Sequence, residues 1–142
     1  MKKLILSTFV TLASVTALAA GKTIPAGSYA IDTAHSKIGF EIPHLVIATV
    51  EGRFTQFDGN ITIDSKLDKS KANLNIEVAS INTDNKDRDD HLKSPDFFDA
   101  AKNPKITFVS KKVVGTADDL KLVGDLTIKG KKKEVTLDVK YL

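Results

Sequence analysis

The sequence predicts an all-β, antiparallel protein carrying one short helical insert. Apolar and polar residues alternate with a period of two along most of the chain, and turn-forming residues separate the alternating runs. One stretch, Asn82 to Asp99 (NTDNKDRDDHLKSPDFFD), breaks the alternation with a charged, capped, helix-like pattern that ends on two phenylalanines. A sheet with one amphipathic plug suits a container better than a catalyst.

The runs follow in order. Ile38, Phe40 and Ile42 alternate with Gly39 and Glu41, and Val46, Ala48, Val50 and Phe54 share one parity across Gly52. Ile61 and Ile63 flank Thr62; Leu74, Ile76 and Val78 alternate with Asn75 and Glu77; Ile106 and Phe108 flank Thr107. Leu120, Leu122, Leu126 and Ile128 share a face with Gly124, and Val135, Leu137 and Val139 alternate with Thr136 and Asp138. That makes seven strands, each with a buried and a wet face. Asp58-Gly59 reads as a hairpin turn, because glycine tolerates positive φ. Lys66 to Lys71, Asp118-Asp119 and Lys129-Gly130-Lys131 read as further reversals. Gly52 inside a strand predicts a bulge or sharp bend. A half-wet sheet must fold onto itself, as a barrel or a sandwich.

In the insert, Thr83 or Asp84 is expected to cap a first helix, and Ser94-Pro95 to open a second. Leu92, Phe97 and Phe98 are its apolar residues, docking over the sheet. Neighbouring helical side chains point about 100° apart, so at most one phenylalanine faces a cavity and the other packs on the sheet.

The N-terminus reads as a targeting segment. Lys2 and Lys3 precede an apolar run, Leu4 to Val15, and Ala17-Leu18-Ala19 offers a small-x-small cleavage site. A signal peptide over 1–19 leaves one domain over 20–142, expected in the periplasm or secreted. With no cysteine after the run, lipoprotein anchoring is excluded, and so are disulfides and thiolate chemistry. The 21 basic residues, less Lys2 and Lys3, leave 19 against 18 acidic ones. So neutral a domain is not an electrostatic nucleic-acid binder. Lys131-Lys132-Lys133 reads as a solvated turn.

Catalytic and metal chemistry find little footing. His35, His44 and His91 have no carboxylates at metal-ligand spacing, so no metal is expected. Asp84, Asp87, Asp89 and Asp90 lack the glycine and glutamate that an EF-hand loop places at its sixth and twelfth positions. They read as caps and surface ion pairs. Ser36 follows His35, but adjacent strand residues point to opposite faces, and neither a G-x-S-x-G elbow nor a phosphate loop is present.

These residues carry a family resemblance. Asp32-x-x-His35-Ser36-x-Ile38-x-Phe40-x-Ile42-x-His44, Val50-x-Gly52-Arg53-Phe54-x-x-Phe57-x-Gly59 and Arg88-Asp89-x-His91-Leu92-Lys93-Ser94-x-Asp96-Phe97-Phe98-Asp99 stand in one order. Asn103-Pro104-x-Ile106-Thr107-Phe108 and Gly124-Asp125-Leu126-Thr127-Ile128-Lys129-Gly130 complete it. The chain resembles the YceI-like family of exported lipid-binding proteins. The resemblance implies an eight-stranded, lipocalin-like barrel around a long apolar cavity for an isoprenoid, an isoprenoid quinone or a fatty amide. It implies binding without catalysis and without a cofactor. It also implies a further hairpin beyond Leu142. Without that hairpin the barrel is incomplete at its C-terminus, and the strand Val135 to Tyr141 keeps one unpaired edge. Such an edge predicts a homodimer.

The cavity lining expected on this reading is Phe40, Ile42, Val50, Phe54, Phe57, Ile76, Phe97, Phe98, Phe108, Leu122 and Leu126. His35, His44, Arg53 and Arg88 are the candidates to meet a polar head group. Two rivals stand beside it. One is a small lipid- or quinone-modifying enzyme using His35 or His91 with Asp32 or Asp89 as acid and base. The other is a stress-response protein whose barrel is filled by its own side chains.

Overall fold

The structure, a computed structural model, describes residues 25–44, 48–116 and 119–140, with the side chain of His44 outside that description. The targeting segment expected at 1–19 and its cleavage site lie outside the described residues, as do Val46, Asp118 and Tyr141. Among the described residues nine strands and one α-helix follow one another: β1 (Gly27–Ala30), β2 (Ile38–His44), β3 (Ala48–Phe54), β4 (Phe57–Ile63), β5 (Lys71–Glu77), β6 (Ile81–Asn82), α1 (Lys86–Lys93), β7 (Lys105–Thr116), β8 (Asp119–Ile128) and β9 (Lys131–Val139). All pairings are antiparallel. They build a six-stranded sheet in the order β1-β4-β5-β7-β8-β9 and a three-stranded sheet in the order β2-β3-β6. The two sheets face one another without closing into a single barrel.

Register explains which apolar residues meet. Phe57 stands opposite Ile76, Ile76 opposite Ile106, and Leu74 opposite Phe108, which in turn faces Leu126. Cross-strand partners share a face, so these side chains form one apolar wall. The core lies where that wall meets the small sheet: Phe54, Ile76, Val78, Ile81 and Ile106 are buried together, flanked by Ile38, Phe40, Leu92 and Phe98. Val78, read as the last residue of a strand, instead sits in the 3₁₀ turn Val78–Ser80, where it is the most buried side chain of the group at 1% exposure.

Several expectations need correction. Among the described residues nine strands replace seven: β1 and the two-residue β6 are too short to show a period. Asp58-Gly59 is no turn. Both residues lie within β4, and Gly59 pairs with Leu74. A Cβ at Gly59 would stand 2.3 Å from the Asn73 carbonyl, so the glycine serves a close backbone approach. Gly52 makes no bulge either; β2 and β3 pair in unbroken register across it. The bulge lies instead in β7, where the register shifts between Ser110 and Lys112. Two other reversals hold, while the one at Asp118-Asp119 falls partly outside the described residues. A 3₁₀ turn, Leu67–Lys69, joins β4 to β5. Lys129 and Gly130, at φ 49° and 70°, make the two-residue hairpin between β8 and β9.

The insert contains one helix where two were expected. α1 is capped by Asn85, not by Thr83 or Asp84; its side chain accepts from Arg88 N at 3.0 Å. After Lys93 the chain runs on in turns, with Phe97 N bonded to Ser94 O, Asp99 N to Ser94 O and Ala100 N to Lys93 O. Asp89 reaches back from α1 to accept from Thr83 N (2.9 Å) and Thr83 Oγ1 (2.6 Å). Thr83 is thereby committed to Asp89 and does not cap the helix.

Candidate functional site

On the inner face of the β2–β3 hairpin, Ile38, Phe40 and Ile42 stand opposite Phe54, Gly52 and Val50. The glycine has a purpose here. A Cβ on Gly52 would lie 2.2 Å from the Phe40 ring, so the ring rests on bare backbone. Phe40 then leans on Phe54 at a centroid distance of 5.8 Å, and Phe54 meets Phe98 edge-on at 6.2 Å. Phe98 thus docks the turn after α1 onto the core. Phe97 turns the other way, 48% exposed, with its ring edge-on to His91 at 4.9 Å. One phenylalanine packs against the sheet and its neighbour stands at the pocket.

Between hairpin and insert lies a pocket of about 310 Å³ lined by Phe40, Ile42, Val50, Arg88, His91, Leu92 and Phe97. Its walls are apolar, and Ile42 remains 54% exposed at its rim. The volume is at the lower end of small-molecule sites. A second cavity of about 480 Å³ opens by the β2–β3 hairpin, where Ile38, Phe54 and Phe57 meet Thr33, Ser36, Lys37 and Arg53. Phe40 lines the first and Phe54 the second, and their rings lean on one another.

The remaining lining candidates fall elsewhere. Phe54 and Phe57 border the second cavity, Ile76 and Phe108 are buried, and Leu122 and Leu126 are half-buried on the wall of the large sheet. That wall stays open toward both ends, where Tyr29, Ile61 and Leu137 are each about two-fifths exposed. Sequence reasoning left His91 and Leu92 out of the lining. Their i, i+1 placement gave no periodic signal, although a helix starting at Asn85 puts Arg88, His91 and Leu92 on one side at i, i+3, i+4.

The head-group candidates whose side chains are described do not converge. Arg53 points away from the pocket and makes a two-pronged bond to Asp84 at 2.9 and 3.1 Å, which raises its already high pKa. His35 is 85% exposed beside Asp32, whose second oxygen takes the His35 Nδ1 at 2.7 Å. This bond, with help from Ala34 N, holds the Asp32 carboxyl below its usual range. His44 closes β2, and its side chain lies outside the described residues. Among the candidates whose side chains are described, Arg88 alone reaches the small pocket, its Nε on Thr83 Oγ1 (2.8 Å) and its Nη2 on the Thr83 carbonyl (2.9 Å).

Of the pairings in the enzyme reading, His35 meets Asp32 at the exposed surface, whereas His91 does not meet Asp89. His91 stands 3.5 Å from Asp96, not against Asp89, which is occupied by Thr83. The aspartates of the calcium pattern are dispersed: Asp84 to Arg53, Asp90 to Lys86 and Lys93. Lys86 and Lys93 together hold the Asp90 carboxyl below its usual range, Lys86 most strongly. Among the described residues no group of three or more metal-ligating side chains converges, and no helix is long and apolar enough to cross a membrane.

Known proteins resemble this arrangement. The model of the YceI-like domain matches residues 29–142. A UPF0312 protein of Staphylococcus epidermidis is 45% identical over 111 residues, covering 78% of this chain but 63% of that protein. Protein YceI of Escherichia coli is 40% identical over the whole of this chain and 74% of its own length. The crystal structure of BcnA from Burkholderia cenocepacia superposes with a TM-score of 0.72 at 32% identity, over 78% of this chain and 70% of that one. The chain therefore spans somewhat under two thirds of the staphylococcal relative it matches.

Proposed function

The chain belongs to the YceI-like family, and from that premise we propose that it binds one long-chain apolar lipid, of isoprenoid, isoprenoid-quinone or fatty amide type, without altering it. The observation that carries this reading is the apolar pocket between the β2–β3 hairpin and the insert, together with the partly exposed apolar wall of the large sheet. Burial contributes about 0.8 kcal/mol per methylene. A 20-carbon chain therefore gains on the order of 16 kcal/mol before ordering costs, near the ceiling for non-covalent binding. Affinity then needs no reacting group, and the tail can lie along the wall.

Two features favour binding over the rivals. The Asp32–His35 pair is exposed on both sides, outside any enclosed site where an acid–base pair could work on a lipid. The inner wall keeps exposed apolar side chains, unlike a barrel filled by its own residues. Native mass spectrometry after mild purification is expected to show a co-purifying lipid, and the emptied protein to take up a fluorescent isoprenoid. No bound lipid and no uptake would end the proposal. Turnover of a lipid, lost in both His35→Ala and His91→Ala, would replace it with the enzyme reading.

The proposal extends to export, from the N-terminal pattern. Cell fractionation should find the protein outside the cytoplasm, lighter by residues 1–19. It extends also to self-association. Among the described residues β1 and β9 border the large sheet with unpaired outer edges, and such edges recruit other chains. Light scattering should report a dimer; a stable monomer removes this part.

A further inference from the structure

We propose that His91 makes the pocket sensitive to pH: a neutral apolar ligand is held while the imidazole is neutral and released as the imidazole takes up a proton. This inference rests on the binding reading and adds a regulation to it. His91 lies on α1 among the pocket's lining, where Phe40, Ile42 and Val50 approach from the hairpin and Leu92 and Phe97 from the insert. The Phe97 ring stands edge-on to the imidazole at 4.9 Å. The His91 side chain is 60% exposed, so water solvates either form of the ring. A ligand seated against Leu92 and Phe97 takes that water away, and an apolar neighbour disfavours the charged form.

The charges around the ring do not offset that cost. Among the described residues Asp96, in the turn after α1, is the one carboxylate paired with His91, its Oδ2 3.5 Å from Nε2. That aspartate is itself 79% exposed, so water screens the attraction. Arg88, one turn earlier on α1 and lining the same pocket, is a like charge. Lys129 donates to the Pro95 carbonyl beside Asp96 and adds a second positive charge on that side. Asp90 is held by Lys86 and Lys93, Asp89 by Thr83, and Asp87 forms no ion pair among the described residues. Glu41 and Glu51 stand opposite one another in the hairpin, at the parity that alternates with Phe40, Ile42 and Val50, and so face away from the pocket. Against α1, β6 brings only Ile81 and Asn82, neither of which titrates. One exchanged proton then sets both sign and limit. Affinity is fully present above the histidine range, centred on about 6.5, and is lost as pH falls through it, by no more than about tenfold per pH unit.

The test measures the dissociation constant of N-phenyl-1-naphthylamine, an uncharged probe, for the full chain between about pH 8 and about pH 5.5, a range that spans histidine and spares ordinary carboxylates. Circular dichroism follows the fold over the same range. Affinity should fall at least about threefold toward the acid end, and His91→Gln should bind nearly equally at both ends. His35→Gln, at an exposed turn outside the pocket, should keep the response of the unaltered chain. Ring-proton NMR gives a second reading without substitution: saturating the protein with the probe should move the His91 titration to lower pH. Should His91→Gln fail to fold, that NMR shift decides. Constant affinity in a folded protein, a response that survives His91→Gln, or a His91 titration unmoved by bound probe overturns the inference. A probe that binds at neither end of the range takes down the binding reading itself.

Discussion

Gly52 and Phe40 show how one missing methyl group shapes a site. The Phe40 ring occupies the space where a Cβ on Gly52 would stand, and Phe40 forms both a wall of the pocket and a contact to the core. Gly52→Ala should therefore cost roughly 1–3 kcal/mol, as overpacking does. In the double variant Gly52→Ala/Phe40→Ala the two costs should not add, because the second change removes the clash created by the first. Additive losses in denaturant unfolding would show that the ring does not rest on Gly52. Phe54 and Phe97 divide along the same line. Phe54→Ala should cost about 3–5 kcal/mol, whereas Phe97, half-exposed, should lose affinity with little stability. Asp32 carries the clearest pH signature at this scale. Its carboxyl is depressed first by the His35 side chain and then by Ala34 N. A depressed acid stabilises the fold above its unfolded pKa, and that contribution disappears as pH falls through the folded value. His35→Ala should move the Asp32 titration upward in carboxyl NMR, toward the ordinary value of 3.8 without reaching it, since the backbone donors remain. An unmoved titration would mean that the pair does not form in solution.

The insert is held by its ends and not by its own propensity. α1 has eight residues, too few to persist alone in water. Asn85 caps it, Asp87 lies in its first turn and Lys93 in its last, each favourable to the helix dipole. Asp89 ties it back to Thr83, and Phe98 ties its far side to Phe54. Asp89→Ala should cost on the order of 1–3 kcal/mol, because it strands the buried Thr83 amide. Hydrogen exchange should then rise along α1 while β7 and β8 keep their protection; uniform exchange would show the tie to be dispensable. The same elements show what was legible. The strand runs of β2, β5 and β8 and the Lys129-Gly130 hairpin were readable because side-chain period and turn chemistry agreed there. Val113 was missed because the bulge at Lys111 reverses parity, so Phe108 and Val113 share a face while differing in period. Asp58-Gly59 misled because glycine signals positive φ and close backbone contact with the same letter. The Asn85 cap was one residue past the expected one, since Thr83 was drawn away by Asp89, a tertiary preference with no local signature. The pocket was half legible: Phe40, Ile42, Val50, Phe97 and Arg88 came from pattern and resemblance, whereas the convergence of His91 and Leu92 with them depends on how α1 rotates against the hairpin.

At the scale of the whole molecule, burial is uneven. The tight cluster of Phe54, Ile76, Val78, Ile81 and Ile106 lies between the two sheets at the insert. Away from it the large sheet leaves Tyr29, Ile61 and Leu137 substantially exposed on the wall it shares with the core. Open edges and exposed apolar area place β1, β4 and β9 at the low end of local stability. A long apolar ligand supplies the missing contacts, so its effect should be felt there and at the pocket, and least in the core. Binding at a ligand concentration of 100 times Kd stabilises the folded state by about 2.7 kcal/mol. For a domain of this size that corresponds to a rise in melting temperature on the order of 10 °C. Hydrogen exchange with and without ligand then locates the gain. Protection should rise in β2 and β3 around Phe40 and Val50 and in β9 around Leu137, with α1 following through Leu92. A rise in melting temperature accompanied by protection confined to the outer, polar faces would put the ligand outside the pocket and the wall, and the proposed site with it.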